Sequence, residues 1–450
     1  MEMNLQDPYL VPTWTRLCSG SVRVPGSKSI TNRALVLSAL SQDIVRLDGA
    51  LFSRDSALLA ENLRALGFVV EEDAKAATFI VHGQGGNIPR AEADLFVGNA
   101  GTAARFLTAF VCLHPNGTFN FDGDAEMQER PMQGLIDALE RLGARFSFSG
   151  KQGHFPFQVR TSGLRGGHWA VEASASSQML SALMMIAPFA SEEVVLNAPG
   201  VRPAFVEMTA RMMEQFGHSI SGTPHSGYRV SPRSELSHTL TAYSIEPDAT
   251  AATYFMVLPY VVGGSLLIEG MPSRSLQGDV AFADVLRSIG FIVEMNQMGW
   301  EVSYQYPFLD TSDQAFSFEC FSDTFLTLAA VAPLFPFSLE LSGIAHTRHQ
   351  ETDRIAAMVE GLRRTGARVS ESEGALRVFP YALTVPPAPV SIRTFKDHRV
   401  AMAFAVLGCR DRWQNGSPWM QIIDPACCGK TFPGFFEKLH ELYLKSHDKN

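Results

Sequence analysis

The chain is short of charge, of cysteine and of long apolar runs. Only 18% of its 450 residues are Asp, Glu, Lys or Arg, below the roughly 25% of an ordinary soluble domain. The formal net charge is −9, so there is no basic surplus of the kind a nucleic-acid backbone demands. A local cluster of Lys and Arg around a small anion remains compatible with that balance. No apolar stretch reaches the roughly 18 residues of a membrane span; the nearest approach, residues 251–262, is broken by tyrosine and Pro259. Residues 1–16 lack the basic and apolar regions of a signal peptide, so no membrane partner and a cytoplasmic location are expected. The six cysteines (Cys18, Cys112, Cys320, Cys409, Cys427 and Cys428) show no CxxC spacing and no ligand histidines nearby, which argues against structural zinc. Free thiols in a reducing compartment are expected, and the adjacency of Cys427 and Cys428 favours strain over a bridge. A hydrophobic content of 46% excludes disordered and collagen-like classes and suffices for a sizeable core.

What the chain does have is a long-period repeat. A helical pattern, a glycine and a short strand pattern recur around Gly67, Gly143, Gly217, Gly290 and Gly366, at intervals of 76, 74, 73 and 76 residues. Glycine closes a helix in the left-handed region before the chain turns into a strand. A second series places small or polar residues directly before apolar helical runs. Marked by Ser29, Gly101, Ser177, Asp248, Asp323 and Asp397, its intervals are 72, 76, 71, 75 and 74. Six starts imply six modules of about 75 residues, too long for a solenoid unit. The runs that follow, residues 34–40, 106–113, 179–188, 253–259, 325–333 and 400–407, are nearly all apolar, as in buried helices. Their N-termini carry free N–H groups and the positive end of the dipole. If such helices pack parallel, several anion-friendly ends converge. Some of these residues, Asp248 among them, are expected to be ordinary N-caps.

Basic residues cluster with the helix starts: Lys28 and Arg33, Arg105, and Arg399 beside His398. Others lie in polar loops: Arg130, Arg348, Arg354 and Lys430. A cation is disfavoured by the dipole at a helix N-terminus, so several there point to an anion between them. The stretch Pro25-Gly26-Ser27-Lys28-Ser29 is not a Walker A motif, which needs Gly next to Lys and an earlier Gly. No GxGxxG follows a strand pattern, so a dinucleotide site is unsupported.

Seven ordered blocks carry a family resemblance over essentially the whole chain. Gly26-Ser27-Lys28-Ser29 with Thr31-Asn32-Arg33 resembles the first signature of the 5-enolpyruvylshikimate-3-phosphate (EPSP) synthase family, the 3-phosphoshikimate 1-carboxyvinyltransferases. Gly98-Asn99-Ala100-Gly101-Thr102-Ala103-Ala104-Arg105 resembles the second. Glu129-Arg130-Pro131, Ser176-Ser177-Gln178, Glu351-Thr352-Asp353-Arg354, Asp397-His398-Arg399 and Lys430-Thr431-Phe432-Pro433 match further blocks in order. The resemblance implies an α/β (α+β) fold of two similar domains. Each has three βαβαββ modules around parallel buried helices, an inside-out α/β barrel-like arrangement. One domain is expected over 25–243, the other over 1–24 plus 244–450, with the active site in the cleft between them. It further implies transfer of the enolpyruvyl group of phosphoenolpyruvate to the 5-hydroxyl of shikimate 3-phosphate, with release of phosphate, in the shikimate pathway of aromatic amino acid biosynthesis. A monomer with no metal and no organic cofactor is expected.

Residue by residue, the resemblance assigns Lys28 to both substrates, and Ser29 and Arg33 to the shikimate carboxylate. Ser176, Ser177 and Gln178 would hold the shikimate phosphate and ring, with Gln178 also near phosphoenolpyruvate. Gly101, Arg130, Glu351, Arg354, Arg399 and Lys430 would line the phosphoenolpyruvate site. Asp323 would take the 5-hydroxyl proton, and Glu351 would lie near the methylene carbon. The chemistry suits these types: addition of an alcohol across an enol ether needs a base at the hydroxyl and an acid at the methylene carbon. The leaving phosphate needs Arg or Lys. The acid is open among Lys28, Glu351 and Lys430. His398 is either a residue of the cleft or one that orients Arg399.

Four positions depart from the family pattern. Gln350 stands where Lys is common, and His346 where many members have Asn. Val201-Arg202-Pro203-Ala204-Phe205 replaces a Ser-(basic)-Pro-aromatic segment, with the Ser hydroxyl missing and one residue inserted. Arg202 is the candidate for the phosphate contact there. Phe106 replaces the usual Pro after Arg105. Two rival readings are a UDP-N-acetylglucosamine enolpyruvyl transferase, expected to show Lys-Asn at the first signature and a reactive loop Cys, and a non-catalytic anion-binding protein of the same fold. The bulk of Phe106 leads to one expected outcome: glyphosate, which occupies the phosphoenolpyruvate site in the family, inhibits weakly. Inhibition constants for the chain and for Phe106→Pro check this, and equal constants would exclude it.

Overall fold

The computed structural model describes residues 5–173, 176–233, 240–304, 311–382 and 385–447. Residues 1–4 and 448–450, assigned above to the second domain, lie outside the described residues. The chain divides into two compact units. The first is Gly26–Glu246; the second joins Met1–Pro25 to Pro247–Asn450.

One module shows the rule. The strand Glu92–Phe96 pairs in parallel with Thr118–Asp122, which pairs antiparallel with Phe157–Arg160, itself antiparallel to Arg145–Phe148. A buried helix, Gly101–Phe110, makes the crossover between the two parallel strands. A half-buried helix, Gln133–Arg141, connects the second strand to the hairpin. The same strand order recurs in four more sheets of the described residues; a sixth sheet has three strands. Three short strands reach their sheets from a distance in sequence. Ala242–Ser244 runs parallel to Ile44–Asp48 in the first unit. Ser21–Val22 runs parallel to Ser265–Glu269, and Tyr9–Leu10 antiparallel to Met420–Ile423, in the second.

The two periodic series in the sequence become two classes of helix. The apolar runs form Lys28–Leu40, Gly101–Phe110, Ser177–Ile186, Ala249–Met256, Phe325–Val331 and His398–Gly408. Nearly every residue of these helices is buried, because other helices or sheets cover all their sides. The glycine series follows the amphipathic helices. Gly67, Gly143, Gly217, Gly290 and Gly366 all have φ between 83° and 107°, where a Cβ would meet the backbone. The capping chemistry is also visible: Asp248, Asp353 and Asp397 each accept a backbone N–H of the first turn they precede. None of the six cysteines is in a disulfide among the described residues. No helix of the described residues is long and apolar enough to cross a membrane.

Within the second unit, the helices Arg354–Arg364 and His398–Gly408 meet at Gly361. A Cβ there would stand 2.3 Å from the Phe404 ring, whose side chain is fully buried. Alanine would gain about 1 kcal/mol of helix propensity. Overpacking a closed core costs roughly 1–3 kcal/mol, and a ring held on every side cannot yield cheaply. Gly361→Ala is therefore expected to lower the thermal unfolding midpoint despite its better propensity; a raised midpoint in calorimetry would contradict the close approach.

Candidate functional site

In the second unit the polar helix starts converge on one buried guanidinium. Arg354 opens its helix and is 1% exposed. Its Nε donates to Asp397 Oδ2 at 2.8 Å, Nη1 to Asp323 Oδ1 at 2.8 Å, and Nη2 to Glu351 Oε2 at 2.9 Å. Nη1 also donates to the Gln350 side-chain oxygen. The network extends at both ends: Arg399 Nη2 lies 2.7 Å from Asp323 Oδ2, and Lys430 Nζ donates to Glu351 Oε1 at 2.8 Å. Asp397 serves twice, since its Oδ1 accepts the Arg399 backbone N–H at 2.8 Å and caps the helix. Burial alone would lower the pKa of Arg354; Asp397, Glu351 and Asp323 outweigh it and raise the value. For Arg399, burial is likewise outweighed, chiefly by Asp323.

Two of the departures from the family pattern lie beside this network. The Gln350 oxygen accepts from the Arg354 guanidinium. His346 Nε2 lies 2.8 Å from the Ser322 hydroxyl, beside Asp323. His398 is fully buried at the first position of its helix, with Nδ1 3.9 Å from Asp397 Oδ1. Its carbonyl accepts from the Cys428 thiol at 3.8 Å. Among the described residues, no group of three His, Cys, Asp or Glu is arranged to hold a metal ion.

In the first unit the arrangement is looser in charge. Lys28 Nζ lies 3.7 Å from Asp55, which is nearly buried in the first turn of the helix Arg54–Ala65. Gly101 opens its helix against two guanidiniums: a Cβ there would lie 2.7 Å from Arg105 Nη1 and 2.8 Å from Arg130 Nη1. A side chain at 101 would push these two cations away from the helix start, whose dipole favours an anion between them. The Gln178 amide donates to Thr102 at 3.2 Å, which places two helix starts side by side. Gln178 Oε1 is buried without a hydrogen-bond partner among the described residues. Ser176 caps its helix by accepting from the Gln178 N–H at 3.4 Å, and Ser177 is buried at the next position. Arg33 is 1% exposed and bonded to neutral groups, among them the Ser29 carbonyl at 3.0 Å. Arg202 is half-buried in the loop before the helix Ala204–Gln215.

Asp55 and Asp279 were not among the residues singled out from sequence. Asp55 reads there as an ordinary acidic residue in a first helical turn. Asp279, in the short turn Gly278–Ala281, accepts from the Thr250 hydroxyl at 3.0 Å. Its approach to Asp323 and Arg399 is made by folding, and no spacing in the sequence reveals it.

Solved structures share this architecture over nearly the whole chain. An EPSP synthase from Acinetobacter baumannii superposes with a TM-score of 0.78 at 21% identity, covering 97% of this chain and 98% of that one. The enolpyruvyl transferase NikO from Streptomyces tendae gives 0.74 at 16% identity, covering 97% of each. These likenesses establish an enolpyruvyl-transferase fold. The sequence narrows the class: the profile of EPSP synthase (3-phosphoshikimate 1-carboxyvinyltransferase) matches residues 14–439. A 3-phosphoshikimate 1-carboxyvinyltransferase of Opitutus terrae is 46% identical, covering 99% of each chain. One from Trichormus variabilis is 37% identical, covering 97% of this chain and 99% of that one. The chain belongs to the EPSP synthase family.

Asp279 generates a pH test. Burial, then the Asp323 carboxylate, push its pKa up to about 7, against the pull of Arg399. The folded value lies above the ordinary one near 4, so the folded state keeps a proton that the unfolded chain has lost. The contribution of Asp279 to stability is thus full below about pH 4 and is lost as the pH rises to about 7. Asp279→Asn keeps an acceptor for Thr250 and removes the titration. It is expected to stabilise the protein by on the order of 4 kcal/mol at about pH 8, with a small effect near pH 4. Unfolding midpoints across this range check it; a difference independent of pH would refute it.

Proposed function

We propose that the chain transfers the enolpyruvyl group of phosphoenolpyruvate to the 5-hydroxyl of shikimate 3-phosphate, giving 5-enolpyruvylshikimate 3-phosphate and phosphate. The observation that carries this reading is the interlocked set Arg354, Arg399 and Lys430 with Asp323 and Glu351. Three cations beside two carboxylates suit a reaction that binds an anion, removes a hydroxyl proton and adds a proton to carbon. In this reading Arg354, Arg399 and Lys430, with Lys28, Gly101 and Arg130, hold phosphoenolpyruvate. Lys28, Ser29, Arg33, Ser176, Ser177, Gln178 and Arg202 hold shikimate 3-phosphate, with His346 and Gln350 near it. The orphan acceptor of Gln178 suits a substrate hydroxyl.

The carboxylates now bonded to the cations set the order of events. An arriving phosphate or carboxylate competes with Asp323 and Glu351 for Arg354, Arg399 and Lys430. Asp323, once released, can accept the 5-hydroxyl proton. The acid at the methylene carbon is one of Lys28, Glu351 and Lys430, of which the last two are a bonded pair. His398, fully buried beside Asp397, is either a residue of the cleft or one that orients Arg399. The reading includes a monomer acting in the cytoplasm without metal or organic cofactor, and glyphosate as a competitor of phosphoenolpyruvate.

The test is release of phosphate that requires both shikimate 3-phosphate and phosphoenolpyruvate. Asp323→Asn is expected to lower kcat by about 100-fold or more while shikimate 3-phosphate still binds. No release from the unaltered chain with both ligands bound would overturn the reading in favour of a binding protein, and an Asp323→Asn variant with full kcat would remove Asp323 as the base.

A further inference from the structure

Phe106 stands where the family pattern commonly has Pro, and the structure shows what the ring does. It is among the largest fully buried side chains, 1% exposed on the helix Gly101–Phe110. The Arg33 guanidinium carbon lies 5.2 Å from its ring centroid. Phe205, on the helix Ala204–Gln215, meets the same guanidinium at 5.9 Å. Arg33 Nε donates to the Thr209 hydroxyl at 2.7 Å, and Nη1 to the Ser29 carbonyl at 3.0 Å. Nη2 donates to the Ser181 hydroxyl at 3.2 Å and the Phe205 carbonyl at 3.1 Å. All four acceptors are neutral, and they engage four of the five N–H donors of an Arg. Among the described residues, no carboxylate pairs with Arg33. Burial pushes its pKa down to about 9, the sign of a cation short of a negative partner.

A buried charge is ordinarily paired. Here two ring faces take part of that task. A ring quadrupole attracts a guanidinium without neutralising it. A carboxylate in the same place would satisfy Arg33 and compete with any incoming anion, as Asp323 and Glu351 do for Arg354. The rings flank the cation without cancelling its charge.

We infer that Phe106 is a positioning residue for the carboxylate end of the shikimate substrate, acting through Arg33 together with Phe205. The inference rests on the proposed function in one respect, the assignment of the substrate carboxylate to Arg33. It concerns the contact of the Phe106 ring with Arg33, whereas the glyphosate expectation concerns the bulk of the same residue in the helix that Gly101 opens.

The test compares shikimate 3-phosphate with its carboxylate methyl ester, by titration calorimetry on the full chain. The unaltered chain is expected to bind the acid more tightly than the ester. Phe106→Leu keeps apolar volume and removes the ring; it is expected to weaken binding of the acid about tenfold and leave the ester unchanged. Phe106→Tyr, which keeps the ring, is expected to retain the preference. Should Phe106→Leu fail to fold, Phe205→Leu at the half-buried second ring reads the same difference. Equal weakening of acid and ester, or no weakening of either, would overturn the inference. Phosphate release by the unaltered chain is measured separately. Its absence alongside an intact acid preference would sink the proposed function and not the role of Phe106.

Discussion

A guanidinium buried at the start of one helix and bonded to three carboxylates organises the second unit. Asp397 caps the helix His398–Gly408 with one oxygen and holds Arg354 with the other. Asp323, in the short turn before Phe325–Val331, and Glu351, in the loop before Arg354–Arg364, complete the set. Removing one partner from such a buried cluster costs roughly 3–5 kcal/mol, because a charge is left unanswered in a medium that cannot solvate it. The ends of three helices are thereby fixed relative to one another. The same charges that hold them are those proposed to receive phosphoenolpyruvate, so local stability and ligand binding draw on one set of bonds.

The first unit treats its buried cation differently. Arg33 has hydroxyls, carbonyls and two aromatic faces around it. A guanidinium met by neutral groups is desolvated without being neutralised, and an anion that reaches it displaces no carboxylate. At Arg354 an anion must first take the place of Asp323 or Glu351. The two units therefore carry two distinct electrostatic arrangements, Arg33 in the second turn of a buried helix and Arg354 at the first position of an amphipathic one.

Much of the fold is legible in the chain because its modules obey local rules. A left-handed residue after each amphipathic helix calls for glycine, and a helix buried on all sides calls for an unbroken apolar run. Both recur at nearly constant intervals. The motif blocks were equally legible, since lysines and arginines at helix starts oppose the dipole and have no local reason to be there. Other features were not legible. Asp279 lies 44 residues before Asp323, and only packing brings their charges together. Asp55 looks like an ordinary first-turn acid until Lys28 is found beside it. Gln350 reads as a lost charge, whereas in the structure its oxygen is one more acceptor for Arg354.

The amino-acid sequence alone determined the period of the repeat, the classes of helix and the residue types gathered at their starts. These depend on backbone conformation and on burial pattern, which are properties of neighbours a few residues apart. Only the tertiary structure decided which charges neutralise one another. Arg354 and Arg33 are alike as letters, yet three carboxylates surround the first and two rings accompany the second. Coulomb energies and desolvation depend on distances across the fold, and no local spacing encodes them.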